Sequence, residues 1–409
     1  MPILIGIDEA GYGPNYGPLV VAATAWSVED NAEGGRRKAE GKKYKACPPK
    51  RAGASARLSS PQAPPPKHRA THPDLYKLLR KAVARSPDGP GRKLAIADSK
   101  ALYKAGFGVH QLERGVLAAL AAMGPAVDET LCVARVAELL AATSADPLAR
   151  RRELACHFDD DQALPLETPA KEVCRLAAKL RQTCAERGVT LLAIRATLVY
   201  PTEFNALVEK YGNKSSALSH VTLGLVRRVV DEATNNAECG MRNAESPGCL
   251  LTNAHSPQPS DSIPHSPFRI PHSQAPTPQP PISLFICLDK HGGRNRYAAL
   301  VQHHFPESWI ETVSEARDLS RYRWRHGERT VEAIFRVGCE ELLPTALASM
   351  TAKYHREVAM RAFNAFWTTR LPDLRPTAGY PGDAHRFKAD IAAVQQELGI
   401  EDRVLWRCR

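Results

Sequence analysis

The chain has 409 residues, a formal net charge of +11 and 43% hydrophobic residues, which is enough to build a large folded body. It contains no run of about eighteen apolar residues and no charged segment followed by a long apolar one near Met1, so we expect neither a membrane span nor a signal peptide. The ten cysteines lack CxxC and metal-ligand spacing, which favours reduced thiols and a cytoplasmic protein over a zinc or disulfide framework.

The predicted elements alternate between strands and helices along the chain. Short apolar or β-branched segments predict strands at residues 3–8, 17–26, 191–200, 283–289, 309–315 and 329–337. Apolar residues at three- and four-residue spacing predict helices at residues 110–123, 169–188, 202–210, 216–233 and 340–367. This layout predicts an α/β fold in which the first strand, apolar on both faces, is central in its sheet.

Two segments interrupt the alternation. Residues 30–72 hold eleven Lys or Arg against three acids, which is +8 of the net +11, and they are rich in proline. Residues 236–281 are dominated by proline and serine and lack any periodicity. Neither segment could repay its ordering entropy by burial, so we predict two disordered insertions within one domain of residues 1–409. The basic one is either an arm that contacts phosphates or a solvated insertion, as charge runs usually are.

Two adjacent acids follow the first strand. Asp8 falls at the carboxyl end of "ILIGID", and Glu9 follows it into a loop that contains Gly11, Gly13 and Gly17. Open α/β sheets place ligands at this end of their strands, and glycines allow the backbone to approach a ligand closely. A single acid here could merely cap a backbone N–H group, but that does not account for two side by side.

A second apolar strand ends in the same way. The segment "SLFICLD" ends at Asp289, and Gly292 and Gly293 follow it. If the two strands are neighbours, Asp8 and Asp289 converge, and their mutual repulsion calls for a cation. Hard divalent ions with oxygen ligands meet that need, so the sequence predicts a Mg²⁺ or Mn²⁺ site.

These segments resemble the motifs of a known family. "GIDEAGYGPNYGPLVVAA" is similar to the first motif of type II ribonuclease H (ribonuclease HII), which is Asp-Glu-Ala-Gly-Arg-Gly followed by a strand that begins with Gly-Pro. Further similar segments occur in the family's order: "IADSKAL", "LDKHGG", "LASMTAKYHREVAM" and "AGYPGDAH". The resemblance covers most of the chain outside the two predicted insertions. It implies a ribonuclease H-like catalytic domain, with a mixed β-sheet flanked by helices.

The resemblance also implies an activity. It is that of an endonuclease that hydrolyses the RNA strand of RNA/DNA hybrids with two divalent ions, Mg²⁺ or Mn²⁺, and leaves 5′-phosphate and 3′-hydroxyl ends. Matched by position, the catalytic metal ligands would be Asp8, Glu9, Asp289 and Glu357, and the last of these replaces the family's Asp. Glu357 could instead be a solvated acid on the outer face of a helix. We expect a nucleic-acid partner, no membrane association and a monomer.

The same motifs supply candidate substrate contacts. These are Gly11, Tyr12, Gly13, Lys100, Lys353 and Tyr380. In the family the residue at the position of Tyr12 is Arg or Lys, so a cationic phosphate contact is here replaced by an aromatic ring. Each lysine could equally be solvated, and His385 in "AGYPGDAH" is expected only to orient its turn.

The segment "RYRWR" at residues 321–325 alternates basic and aromatic residues. As a strand it would place Arg321, Arg323 and Arg325 on one face, which suits a ribbon that follows phosphates. A plain amphipathic edge strand accounts for the pattern as well.

Two other functions fit the same sequence. A nuclease of the same fold could act on structured or branched DNA, because fold and metal site do not fix the nucleic acid. A non-catalytic nucleic-acid-binding relative is compatible with Glu357 and Tyr12, which depart from the family's motifs. The presence of Asp8, Glu9 and Asp289 speaks against this second alternative.

Overall fold

The computed structural model describes residues 1–30, 72–89, 91–104, 108–124, 127–128, 130–141, 155–157, 161–245 and 283–408. Most of the two predicted insertions, residues 31–71 and 246–281, lies outside these ranges. Their disorder therefore stays a prediction.

A seven-stranded mixed sheet forms the centre of the described structure, and two further short strands form a separate pair. The strands are β1 Ile3–Ala10, β2 Leu19–Val28, β3 Val83–Ala84, β4 Leu94–Ala95, β5 Val189–Val199, β6 Leu284–Leu288, β7 Glu311–Glu315, β8 Leu319–His326 and β9 Arg329–Arg336. The order in the large sheet is β5-β2-β1-β6-β9-β8-β7. Strands β1, β6 and β9 are parallel, whereas the other neighbouring pairs are antiparallel.

The described ranges contain these α-helices: α1 Leu75–Leu78, α2 Ser99–Leu102, α3 His110–Ala122, α4 Val133–Leu140, α5 Ala170–Glu186, α6 Pro201–Tyr211, α7 Lys214–Glu245, α8 Ala298–His304, α9 Leu343–Thr368, α10 Pro381–Glu397 and α11 Asp402–Leu405. Two 3₁₀-helices lie at Ala155–His157 and Cys339–Glu341. Helix α7 extends past residue 236, where the second predicted insertion begins. None of the helices in these ranges is long and apolar enough to cross a membrane.

Helices cover both faces of the large sheet. On one face α9 lies across β1 and β2, and α3 packs beside it. On the other face the core residues of α7 and α8 pack with Ile3, Ile5 and Ile7, which alternate along β1 with Leu4 on the α9 side. The predicted α/β fold with a mixed sheet flanked by helices is confirmed, and so is the central place of the first strand, between β2 and β6.

A glycine in β1 allows α9 to lie directly on the sheet. A Cβ at Gly6 would lie 2.1 Å from the backbone nitrogen of Thr345 and 2.3 Å from the carbonyl carbon of Pro344. Thr24, the cross-strand partner of Gly6, donates a buried 2.8 Å hydrogen bond to the carbonyl oxygen of Pro344. The first turn of α9 is thereby fixed on β1 and β2, and this sets where the rest of the helix lies.

Strand β8 alternates as predicted, but it is not an edge strand. The edge-strand interpretation is wrong because β7 pairs with the outer side of β8. Tyr322 and Trp324 are buried. Arg321 and Arg323 approach the buried carboxylate of Glu332 on β9, at 3.8 Å and 2.9 Å. These two arginines are therefore paired within the sheet.

The prediction of reduced thiols is wrong at one pair of cysteines. Cys287 in β6 and Cys339 in the 3₁₀-helix after β9 form a disulfide, with Cα atoms 6.2 Å apart. The two residues are 52 positions apart in sequence, and they meet only because β6 pairs with β9. The positions of these cysteines in the sequence therefore did not predict the disulfide.

The close contact at Gly6 leads to a stability prediction. We predict that Gly6→Ala lowers the free energy of unfolding by about 3 kcal/mol or more, because the methyl group would overlap the backbone of α9. Gly382→Ala is the control, since no atom lies within 4 Å of a Cβ added there, and it should change stability by less than about 1 kcal/mol. Urea unfolding measures both, and a Gly6→Ala protein as stable as wild type would contradict this packing.

Candidate active site

Three carboxyl side chains converge at the carboxyl ends of the three parallel strands. Asp8 lies near the end of β1, Asp289 directly follows β6, and Glu340 lies in the 3₁₀-helix after β9. One oxygen of each side chain lies within 4.8 Å of the other two. We call these three residues the acid cluster. Asp8 and Asp289 meet, as the sequence predicts, because β1 and β6 are adjacent and parallel.

Glu340 is the member of the acid cluster that the sequence motifs do not single out. A signal for it exists, because Glu340 follows the apolar strand β9 and a glycine, Gly338. The same rule, an acid just after an apolar strand, identifies Asp8 and Asp289. Applied to the third parallel strand, it would have identified Glu340 as well.

Burial and mutual repulsion raise the pKa of the acids at this site. Burial, and next the charge of Glu9, raises the pKa of Asp8 well above its ordinary range. Burial and the charge of Asp289 raise the pKa of Glu9 to about 7. Burial also raises the pKa of Asp289 and of Glu340. A set of carboxylate oxygens that repel one another, buried at Asp8 and partly buried at the other acids, fits Mg²⁺ or Mn²⁺, whose charge would offset the repulsion.

The segment 98–100 brings a cation to the acid cluster. Asp98 caps α2 by accepting a 3.0 Å hydrogen bond from the backbone N–H of Lys100. The Lys100 Nζ lies 3.9 Å from Glu340 Oε1. Burial disfavours the charged lysine, but Asp98 and the acid cluster outweigh it and raise the pKa of Lys100. Lys100 therefore stays charged beside the acids.

Helix α9 supports the cluster through a serine. Ser349 hydrogen-bonds Asp8, which partly offsets the rise in the pKa of that carboxyl. The Ser349 and Ser99 hydroxyl oxygens lie 3.0 Å apart, and the Ser349 hydroxyl accepts a 3.3 Å hydrogen bond from the backbone N–H of Ser99. One buried residue of α9 thus connects the end of β1 to the segment that carries Lys100.

Glu357 lies farther along α9 and has other partners. Its Oε1 accepts a hydrogen bond from Lys353 Nζ at 2.5 Å, and its Oε2 accepts one from the Tyr103 hydroxyl at 2.7 Å. Ser349, which contacts Asp8, precedes Glu357 by eight residues of helix, a rise of about 12 Å. The structure does not place Glu357 in the acid cluster, so its role as a metal ligand stays a prediction.

The glycine loop after β1 packs on a buried arginine. Gly11 has φ +85°, and a Cβ there would lie 2.6 Å from Arg356 Nε. Arg356 donates a 2.9 Å hydrogen bond to the carbonyl oxygen of Ala378. A Cβ at Gly13 would lie 3.9 Å from the ring of Tyr380, two residues after Ala378. Arg356 lies in the motif segment "LASMTAKYHREVAM" but is not among the predicted site residues, and it connects the glycine loop to Tyr380.

Tyr12 lies on a different side of the loop from its glycines. Its hydroxyl lies 3.7 Å from the position of a Cβ at Gly292, in the segment after Asp289. Burial raises the pKa of Tyr12, and the charge of Glu9 adds to the rise. The predicted substrate contacts thus form two groups. Gly11, Gly13, Lys353 and Tyr380 lie around Arg356 and Glu357, whereas Tyr12 and Lys100 lie beside the acids.

The chain is similar to several solved structures, among them two ribonucleases. One is the ribonuclease HII of Archaeoglobus fulgidus, solved in complex with PCNA. It shares 12% identity and a TM-score of 0.34, over 100% of this chain and 94% of that one. The other is the ribonuclease H2 of Pyrococcus horikoshii OT3, with 12% identity and a TM-score of 0.36, over 98% of this chain and 92% of that one. No protein-family model and no curated protein matches the chain.

The raised pKa values predict how stability depends on pH. Between about 4.5 and about 7, the ordinary and the raised pKa of Glu9, the unfolded chain releases a proton that the folded one retains. The metal-free protein should lose stability on the order of a few kcal/mol as pH rises through this range, and Mg²⁺ should restore it by binding the ionised folded site.

Urea unfolding across this pH range, with and without Mg²⁺, measures the effect. Asp289→Asn is the comparison, because it removes the charge that, after burial, raises the pKa of Glu9 most, and it should flatten the pH dependence relative to wild type. Carboxylates elsewhere in the chain contribute equally to the pH dependence of both proteins, so their contribution cancels when one curve is subtracted from the other. Identical slopes for both proteins would show that the acids do not interact.

Proposed function

We propose that this chain is a metal-dependent endonuclease that hydrolyses the RNA strand of RNA/DNA hybrids. The observation that supports it most is the convergence of Asp8, Asp289 and Glu340 at the ends of three parallel strands. This cluster alone suggests a divalent-metal site. The RNA/DNA hybrid as substrate is suggested by the motifs that resemble ribonuclease HII.

The acid cluster and the neighbouring Glu9 would hold two Mg²⁺ or Mn²⁺ ions. Such ions prefer carboxylate oxygens and leave coordination positions for water and phosphate. Held by these acids, two such ions would supply the positive charge that lowers the pKa of an attacking water and stabilises the 3′ oxygen that leaves. The acids would bind and orient the ions, and they need not exchange protons with the substrate.

Other residues of the site would bind the nucleic acid. The Lys100 side chain is 82% exposed, so it can contact a phosphate once metal ions neutralise the acids beside it. The backbone of Gly11 and Gly13 would approach a ribose 2′-hydroxyl, which distinguishes RNA from DNA. The half-exposed ring of Tyr380, next to Gly13, offers a surface on which a sugar or base can stack.

The proposal predicts which acids are essential. Asp8→Asn and Asp289→Asn should each abolish metal-dependent cleavage without unfolding the protein, because each removes a ligand charge and relieves repulsion. Glu340→Gln should reduce cleavage at least about 100-fold. Glu357→Gln should reduce it less, because Glu357 lies outside the acid cluster.

Glu341→Gln is the matched control. Glu341 neighbours Glu340, is 75% exposed and pairs with Arg336 at 2.9 Å, so its loss should leave cleavage near the wild-type rate. Initial rates with Mg²⁺ or Mn²⁺ on RNA/DNA, RNA/RNA and branched DNA provide the measurement. Near wild-type cleavage by Asp289→Asn would refute the metal site, whereas cleavage of branched DNA alone would refute the substrate.

Tyr12 leads to a prediction about substrate preference. Tyr12 cannot supply the cationic contact of the family's Arg or Lys, a charge-assisted bond of about 1.5 to 3 kcal/mol, although its ring could stack for part of that. We predict cleavage of continuous RNA in hybrids, a weakened preference for a single embedded ribonucleotide, and a gain on that substrate for Tyr12→Arg. Initial rates of both proteins on both substrates measure this. The prediction would be contradicted if the wild-type protein already prefers the single ribonucleotide and Tyr12→Arg does not increase its cleavage.

A further inference from the structure

Three histidines meet on the side of the sheet that carries α7 and α8. His220 comes from α7, and His303 and His304 are the last two residues of α8. Ring nitrogens of the three lie within 4.8 Å of one another. The His220 Nδ1 lies 3.2 Å from the His304 Nε2. We call these three residues the histidine cluster.

The spacing of these nitrogens matches a transition-metal site. Zinc binds imidazole nitrogens at 2.0 to 2.1 Å, and a tetrahedron of that size separates its ligand atoms by about 3.3 Å. The 3.2 Å between the nitrogens of His220 and His304 is close to this value. A site with three imidazoles would leave a fourth position for water or an anion. Imidazole ligands favour zinc and related ions over Mg²⁺.

The protonation state also suits a metal. Burial lowers the pKa of His304 to about 4, and His220 and His303 contribute to the shift. Burial, and next His303, lowers the pKa of His220. Neutral imidazoles present the free electron pair that a metal requires. Lys210, Arg228 and Arg294 also lower these pKa values, and their charges repel a divalent ion as they repel a proton. An anion at the open position would offset that repulsion.

A hydrogen-bonded pair of histidines is the simpler explanation, and it accounts for only two of the three rings. His220 is held by stacking on Tyr211, with ring centroids 3.7 Å apart, and it can share a proton with His304. His303 is exposed, so burial does not drive its ring towards the others. Its ring nevertheless lies edge-on to both, with centroids 5.0 Å from each.

We propose that His220, His303 and His304 form a binding site for a zinc-like divalent transition-metal ion, separate from the acid cluster. The ion would connect α7 to α8. Helix α8 begins just after the segment 290–297, which follows Asp289, so the ion would also restrain that segment. Such an ion would bind the folded protein, because the unfolded chain does not hold the three histidines together. Binding should therefore raise the melting temperature.

Zinc titration of the full chain tests this site. The untagged protein, with excess Mg²⁺ present to occupy the acid cluster, is titrated with Zn²⁺ against a chromophoric chelator, and with Co²⁺ to detect the visible spectrum of a tetrahedral ion. We expect one bound equivalent and a higher melting temperature. His303→Gln and His220→Gln should each weaken binding at least about 10-fold. His303 is exposed, so that variant should fold even if His220→Gln does not.

Two control variants separate this site from others. His385→Gln removes an exposed histidine that packs beside Trp406, away from the histidine cluster, and Asp289→Asn disables the acid cluster. Both should bind zinc like the wild type. The absence of stoichiometric binding, equal binding by His303→Gln, loss of binding in Asp289→Asn, or loss only after thiol alkylation would each overturn the proposal.

Discussion

The contact between α9 and Gly6 is the constraint on which the rest of the site depends. With a side chain at residue 6, the backbone at Thr345 could not approach β1, because a Cβ would lie 2.1 Å from its nitrogen. Once the first turn of α9 is fixed there, Ser349 reaches Asp8 and Arg356 reaches the loop at Gly11. A helix shifted outward by the width of a methyl group would lose both contacts. The packing of one helix on one glycine thus positions the end of β1 and the loop that follows it.

Electrostatics at the acid cluster opposes folding, and the structure only partly offsets this. Asp8 is buried, and its pKa and that of Asp289 are raised chiefly by burial. Lys100 supplies one positive charge at 3.9 Å from Glu340, with most of its side chain in solvent. One solvated cation cannot balance one buried carboxylate and the partly buried ones around it. Regions that retain such a cost usually do so for function, and a bound divalent ion is the partner that would offset it.

The two candidate metal sites differ in the chemistry of their donor atoms. The acid cluster offers only carboxylate oxygens and lies where three parallel strands end. The histidine cluster offers only imidazole nitrogens and joins α7 to α8, on the face of the sheet opposite to α9. Mg²⁺ would therefore prefer the acid cluster, whereas a zinc-like ion would prefer the histidine cluster. The segment after Asp289 connects the two, because it leads from the acid cluster into α8.

The sequence by itself determined most of the long strands and helices and the central place of β1, because hydrophobic period is a local property. It also placed Asp8 and Asp289 at strand ends, but that the two acids meet depended on β1 and β6 being neighbours. Glu340, Arg356 and the disulfide of Cys287 depended on which strands became neighbours and on how α9 lies on them. Motif position pointed to Glu357, which lies outside the acid cluster and whose role as a metal ligand stays a prediction. Only the tertiary structure decided these points, because they follow from contacts between residues far apart in the chain.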